Sequence, residues 1–321
     1  MYCLIALDSF KGTYSAREVA EAIGRGAGAD SDICPVADGG EGTLDVLVSA
    51  LGGTTTTASA HDPLDRPLQA AIGWVDDGAT AIVEAAASSG LGLVAAAERD
   101  AEAASTRGTG ELVAAAIDGG ARRVIVTVGG SATSDGGAGA IEAIRAAGGP
   151  RDAELLVLCD VTTPFERAAI VYGPQKGADA AAVQRLTARL HAQAATLPRD
   201  PRGVPMSGAA GGLSGGLWAA CGARLVPGAA WVLDALRFDE RLARADAVVS
   251  GEGRVDAQTL EGKLVGEVAA RCRRAGKPLH LVAGSCALGA EGIAALGVAS
   301  VREATDAAAM EAAGRAIAAA V

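Results

Sequence analysis

Histidine is scarce in this chain: only His61, His191 and His280 occur, and none sits in a polar, Gly-rich cluster. His191 falls in a helical run and His280 in a strand-like one, where a satisfied structural imidazole is the ordinary occupant. A Ser-His-Asp hydrolase and a His-ligated zinc site are therefore poor readings. Aromatic residues make up 3% of the chain, too few to build stacking platforms for bases or sugars. No stretch offers the roughly 18 consecutive apolar residues of a membrane span. The mean hydropathy of +0.28 comes from alanine spread along the sequence. The N-terminus lacks a basic segment and meets Asp8 too early for a secretory leader. Six scattered cysteines form no CxxC pair, so a reducing cytoplasm is the expected location.

Positive charge is also short. Lys and Arg total 28 against 38 Asp and Glu, a net charge of −10. That field, with no basic run to interrupt it, excludes nucleic-acid binding as the main function. Among the basic residues only Lys11, Lys176, Lys263 and Lys277 are lysine. Each is thus a candidate for work that needs a compact ammonium.

What remains is a globular chain of 321 residues, half of them hydrophobic, long enough for two domains. Short apolar runs alternate with Gly-rich turns and alanine-rich helical stretches. Strands are predicted at 2–7, 32–36, 123–129, 155–159, 246–250, 279–283 and 298–303. Helices are predicted at 15–28, 42–51, 108–118, 136–147, 178–196, 212–222, 257–275 and 305–319. This alternation implies a mostly parallel sheet covered on both faces. Residues 54–84 differ: Thr- and Ala-rich strands joined by Pro/Asp and Asp-Asp-Gly turns predict antiparallel hairpins. Residues 198–208 read as a loop or hinge from their Pro and Gly content.

Ligands of open parallel sheets lie beyond the C-terminal strand ends, and acids recur there. Asp8 follows the first strand and Asp38 the second; Asp135, Asp160 and Asp256 follow later ones, and four of these five strand ends carry Gly. Gly129 to Gly137, opening a helix, offers N–H groups and hydroxyls to an anion. Gly130, Ser131, Thr133 and Ser134 are expected to donate to nucleotide phosphate oxygens, with Lys11 and Lys176 neutralising them. Asp38 and Asp160 are the expected Mg²⁺ ligands, since that cation takes one or two carboxylates plus phosphate oxygens. Asp256 or Asp135 is the expected general base. Arg107, at a helix start with the N–H groups of Thr109 and Gly110, is expected to grip a substrate carboxylate. Arg254 competes for that role. The sequence contains no G-x-x-x-x-G-K-[ST] P-loop and no strand-following G-x-G-x-x-G. Together these features describe phosphoryl transfer to a small anionic substrate.

The ordered motifs closely resemble the bacterial type-1 glycerate kinase family. They are Asp8 to Lys11, Ala37 to Thr43, Thr106 to Glu111, Gly129 to Gly137, Cys159 to Thr162, Gly173-Pro-Gln-Lys-Gly-Ala178, Gly208 to Gly212 and Gly251 to Asp256. The resemblance runs from about residue 3 to about residue 300. It implies ATP-dependent phosphorylation of D-glycerate and an α/β chain of two lobes. One lobe is expected to be flavodoxin-like and discontinuous, at 1–54 plus 235–321. The other, at 55–234, is expected to be a mixed α/β lobe resembling the restriction-endonuclease fold. The product expected from the resemblance is 2-phosphoglycerate, with 3-phosphoglycerate as the alternative. ATP and Mg²⁺ are the implied cofactors, and a homodimer is left open. A non-catalytic anion-binding protein on the same scaffold is the rival, disfavoured because the five strand-end acids remain. Three departures stand out: a short 148–155 stretch, no Gly-rich spacing over 165–170, and Leu264-Val265 where proline often follows Gly-Lys.

Overall fold

The computed structural model describes residues 2–28, 30–257, 259 and 263–320. The chain opens with strand β1 (Cys3–Leu7), helix α1 (Ala16–Ala27) and strand β2 (Ser31–Ile33). Next come α2 (Thr43–Ala50), β3 (Thr54–His61), β4 (Pro67–Val75), β5 (Thr80–Glu84), α3 (Ala86–Ser89) and α4 (Arg107–Asp118). They are followed by β6 (Arg123–Thr127), α5 (Ala138–Ala146), β7 (Glu154–Cys159), α6 (Ala168–Tyr172), α7 (Ala180–Ala194), α8 (Leu213–Cys221) and β8 (Arg224–Pro227). Then run α9 (Gly228–Ala235), α10 (Phe238–Arg244), β9 (Ala247–Gly251), β10 (Arg254–Val255) and α11 (Leu264–Ala275). The last are β11 (Leu279–Ala283), β12 (Ser285–Cys286), α12 (Ala290–Leu296), β13 (Ser300–Glu303) and α13 (Ala307–Ala318).

Two compact units result, residues 1–38 with 229–321, and residues 39–228. These dividing points differ from the expected 54/55 and 234/235. Helix α2 belongs with the second unit because its Leu44 and Val48 side chains lie directly over Gly73 of β4.

The first unit holds a five-stranded parallel sheet in the order β13-β11-β9-β1-β2. Counted by this unit's sheet strands alone, that is 2-1-3-4-5, the flavodoxin-like winding. Every residue of β1, β9 and β11 is buried, as a sheet covered on both faces requires. The β2 ladder continues beyond its formal end, since the N–H groups of Cys34 and Val36 donate to the carbonyls of Ile5 and Leu7. Helix α1 starts from a Ser15/Glu18 capping box. It packs against α13 so closely that a Cβ at Gly26 would stand 1.9 Å from the Glu311 carbonyl oxygen.

The second unit is a six-stranded mixed sheet, β3-β4-β5-β6-β7-β8. Pairs β3–β4 and β4–β5 are antiparallel, as expected for 54–84, and the remaining pairs are parallel. Ile72, Val83, Leu112, Val126, Ile144, Val157 and Leu213 form part of its core. The short 148–155 stretch is a tight turn running into β7, and Gly148, Gly149 and Arg151 all have positive φ. Among the described residues no helix is long and apolar enough to cross a membrane. All six cysteines are free thiols, and five are buried.

Glu84 ends β5 and accepts the Leu44 N–H at 2.8 Å, capping α2, whose own N-cap is Gly42. Burial, then repulsion from Asp45 and Glu41, pushes its carboxyl up from 4.5 to about 7. The folded state therefore holds a proton that the unfolded chain has already released between these two values. Its stabilising contribution is complete below 4.5 and lost as pH rises through about 7. Glu84→Gln keeps an acceptor oxygen without the titration. The variant is expected to gain about 1–3 kcal/mol over wild type in urea unfolding between acidic pH and pH 8. Parallel stability–pH curves would contradict this role.

Candidate active site

In the first unit, β1 and β9 are neighbours at the point where the strand order reverses, and a pocket of about 520 Å³ opens beyond them. Its walls come from successive strand ends: Asp8 to Lys11 after β1, Asp38 after β2, Glu252 to Arg254 and Asp256 after β9. Gly284 and Ser285 follow β11, and Thr305 follows β13. Thr13, Thr259 and Lys263 also line it. The location is the one that winding geometry reserves for ligands.

The pocket's electrostatics are dominated by crowded acids. Asp8 is 4% exposed and its Oδ1 accepts the Ser9 N–H at 2.7 Å. Burial, and next the charge of Asp38, hold the Asp8 carboxyl well above the usual carboxylate range; Lys11 and the Ser9 N–H pull it back. Burial likewise raises Glu252, which accepts the Thr259 hydroxyl at 2.8 Å and is drawn down by Lys263. Lys11 Nζ stands 3.7 Å from Asp38 Oδ2, and Arg254 Nε stands 3.3 Å from Asp256 Oδ2. Among the described residues no three His, Cys, Asp or Glu side chains are grouped so as to hold a metal by themselves. Mg²⁺ bound with phosphates needs only one or two carboxylates. Asp38, with the repelled and protonation-prone Asp8 beside it, suits that donor chemistry.

Asp8 and Glu252 are the residues sequence reasoning left out of the site. The signal for both was present: each directly follows an apolar strand. Four expected residues, Lys11, Asp38, Arg254 and Asp256, do come together in this one pocket.

The second unit places the other candidates differently. After β6 the chain folds back on itself. Ser131 is 7% exposed, and Thr133 and Ser134 are fully buried. Lys176 is 2% exposed; its Nζ donates to Ser131 Oγ at 3.0 Å and to the Thr133 carbonyl at 2.5 Å. Burial lowers its ammonium from 10.5 to about 7. Ser131, Thr133, Ser134 and Lys176 are thus enclosed, and the hydroxyls of Thr133 and Ser134 have no hydrogen-bond partner among the described residues; of the expected phosphate-binding set, only Gly130 is exposed. Arg189 and Gln193 brace the same loop through the carbonyls of Ser134 and Gly136.

Asp135 is engaged by donors from two elements. Its carboxylate accepts the Thr106 N–H at 2.9 Å, the Thr106 hydroxyl at 2.8 Å, the Gly137 N–H at 3.0 Å and the Gly139 N–H at 3.2 Å. With these four donors it ties the starts of α4 and α5 together. Arg107 is bound to Asp65 at 2.8 Å and Glu111 at 2.9 Å on an exposed surface. Thr109 is buried against the hydroxyls of Ser88 and Ser89, and the Gly110 N–H donates to the Thr106 carbonyl. A Cβ at Gly110 would stand 2.4 Å from the Ala140 carbonyl oxygen, so this glycine permits close helix packing. The expected carboxylate grip of Arg107, Thr109 and Gly110 is therefore not assembled. Asp160 stands half-buried just beyond β7.

Comparison with known proteins bears on the chemistry. The family model described as the glycerate kinase family matches residues 3–149 and 145–320. The chain is 38% identical to glycerate 2-kinase of Escherichia coli (strain K12), covering 89% of this chain and 85% of that one. It is 40% identical, with the same coverage, to a glycerate kinase of Bacillus subtilis (strain 168). A crystal structure from Salmonella typhimurium LT2, provisionally assigned as glycerate kinase 2, matches with a TM-score of 0.83. That match has 34% identity and covers 100% of this chain and 98% of the other. The chain is thus an enzyme of the kinase class, and it belongs to the glycerate kinase family.

Proposed function

We propose that this chain transfers the γ-phosphoryl group of ATP to the 2-hydroxyl of D-glycerate, with Mg²⁺, in the pocket of the first unit, as a cytoplasmic enzyme. The observation that carries the reading is the crowding of Asp8, Asp38 and Glu252 in one pocket with Lys11 3.7 Å from Asp38. Buried carboxylates that repel one another are stabilised by a cation, and lysine beside them suits phosphate. When bound, Mg²⁺ would draw charge from the phosphate oxygens. Asp38, assisted by Asp8, holds the cation, and Lys11 neutralises the transferring phosphate. Asp256 takes the acceptor's proton. The hydroxyl oxygen bonds to the γ-phosphorus as the bond to the bridging oxygen breaks, and ADP leaves with that electron pair.

The choice of the 2-hydroxyl is supported by the name of the Escherichia coli relative, glycerate 2-kinase. A coupled assay tests the product. With ATP, Mg²⁺, D-glycerate and enolase but no phosphoglycerate mutase, phosphoenolpyruvate is expected. A signal that appears only after mutase is added would mean 3-phosphoglycerate and overturn the assignment. No ADP formation at all would favour a non-catalytic anion-binding protein.

A further inference from the structure

Arg107 and Arg254 compete, on sequence, for the carboxylate of the substrate, and their surroundings separate them. Arg107 is held by two carboxylates at 2.8 and 2.9 Å. Arg254 carries the only guanidinium among the described residues lining the pocket of the first unit. Its backbone is fixed from two sides. Strand β10 pairs with β12 through Arg254↔Ser285 and Val255↔Cys286, and Val255 is fully buried. A Cβ on the preceding Gly253 would stand 3.2 Å from Phe10 Cα. The side chain, by contrast, is 71% exposed, and its ion-pair partner is Asp256 at 3.3 Å. An exposed pair of this kind is weak in water and exchanges readily. The rest of the pocket presents Asp8, Asp38 and Glu252, with Lys11 beside Asp38 and Lys263 drawing on Glu252. Both lysines are engaged by those acids, which leaves the guanidinium of Arg254 as the group whose planar fork suits the carboxylate end of an anionic acid.

We propose that Arg254 is the specificity-determining residue of this pocket: its guanidinium takes the carboxylate of the hydroxy-acid substrate and thereby selects acids over neutral alcohols. The assignment rests on the phosphoryl-transfer reading above. On substrate binding, Arg254 exchanges Asp256 for the bidentate carboxylate, which leaves Asp256 beside the acceptor hydroxyl. Arginine suits this because its planar fork matches a carboxylate, whereas lysine offers a point charge.

The test compares D-glycerate with its methyl ester, which lacks the negative charge but keeps both hydroxyls. Wild type is assayed first; absence of ADP formation with glycerate would refute the kinase reading itself. In an active wild type, the acid is expected to be preferred over the ester. Arg254→Met is expected to raise the glycerate KM at least tenfold. The preference for the acid over the ester should fall by a similar factor, with the ATP KM changing far less. Arg254→Lys should fall between the two. Arg254→Gln provides a second neutral side chain and should match Arg254→Met. An unchanged preference for acid over ester in either neutral variant would overturn the proposal, as would an increase confined to the ATP KM.

Discussion

Asp38→Asn is expected to lower kcat at least a hundredfold and raise the Mg²⁺ concentration needed for half-maximal rate, while the melting temperature stays level or rises. The activity loss follows from removing a carboxylate that supports the cation and the transferring phosphate; electrostatic groups of this kind are typically worth 10²–10³ in rate. The stability expectation follows from the crowding. Asp38 is 5% exposed, and its charge helps push the carboxyls of Asp8 and Glu252 upward. An amide in its place relieves both neighbours of a repulsion that the nearby lysines offset only in part. Activity and stability thus part company, as they do where a site is strained for function. A variant that unfolds, or one that keeps wild-type kcat and Mg²⁺ dependence, would place Asp38 outside the chemistry.

Asp135→Asn should behave in the opposite way, although both acids follow a strand and precede glycine. The Asp135 carboxylate receives four donors, two from Thr106 and one each from Gly137 and Gly139. Asparagine has one acceptor oxygen, and its NH₂ would face a donor. Bonds to a charged acceptor contribute about 1.5–3 kcal/mol each, and a donor left unpaired costs further. A loss of about 3 kcal/mol is expected, or roughly 10 °C in melting temperature for a unit of this size. Activity at a temperature where the variant is folded should be reduced far less than in Asp38→Asn. Full thermal stability with activity abolished would instead return Asp135 to the role of base.

The contrast shows what the sequence carries and what it withholds. Strand positions follow from local pattern: apolar runs, Gly-rich turns and helical stretches suffice to mark β1, β9, β11 and β13 as strands of a mostly parallel sheet, whereas their flavodoxin-like order was implied by the family resemblance. The edge where ligands bind then follows from topology, and Lys11, Asp38, Arg254 and Asp256 were legible for that reason. Which of the recurring acids is satisfied by backbone was not legible. The donors to Asp135 include Thr106, 29 residues earlier, and no local spacing announces such a partner. The enclosure of Thr133 and Ser134 was hidden for a related reason. Gly-rich loops before helices often hold anions, but here Lys176 and Gly211 close over the loop from distant segments. A Cβ at Gly211 would stand 2.0 Å from the Thr133 carbonyl oxygen. Helices α9, α10 and α12 also escaped notice. They span eight residues or fewer, and segments such as Gly228-Ala-Ala-Trp-Val-Leu-Asp-Ala235 are too uniformly apolar to display a helical period. The expected start of α11 at residue 257 lies in a stretch that includes positions 258 and 260–262, outside the described residues.

The most direct measurement is phosphorus NMR of the wild-type reaction with ATP, Mg²⁺ and D-glycerate, recorded without proton decoupling. Transfer to the 2-hydroxyl predicts a new phosphomonoester resonance split into a doublet by the single proton on C2, growing in step with ADP. A triplet, from the two protons on C3, would contradict the assigned acceptor. Growth of inorganic phosphate alone would contradict transfer to glycerate altogether.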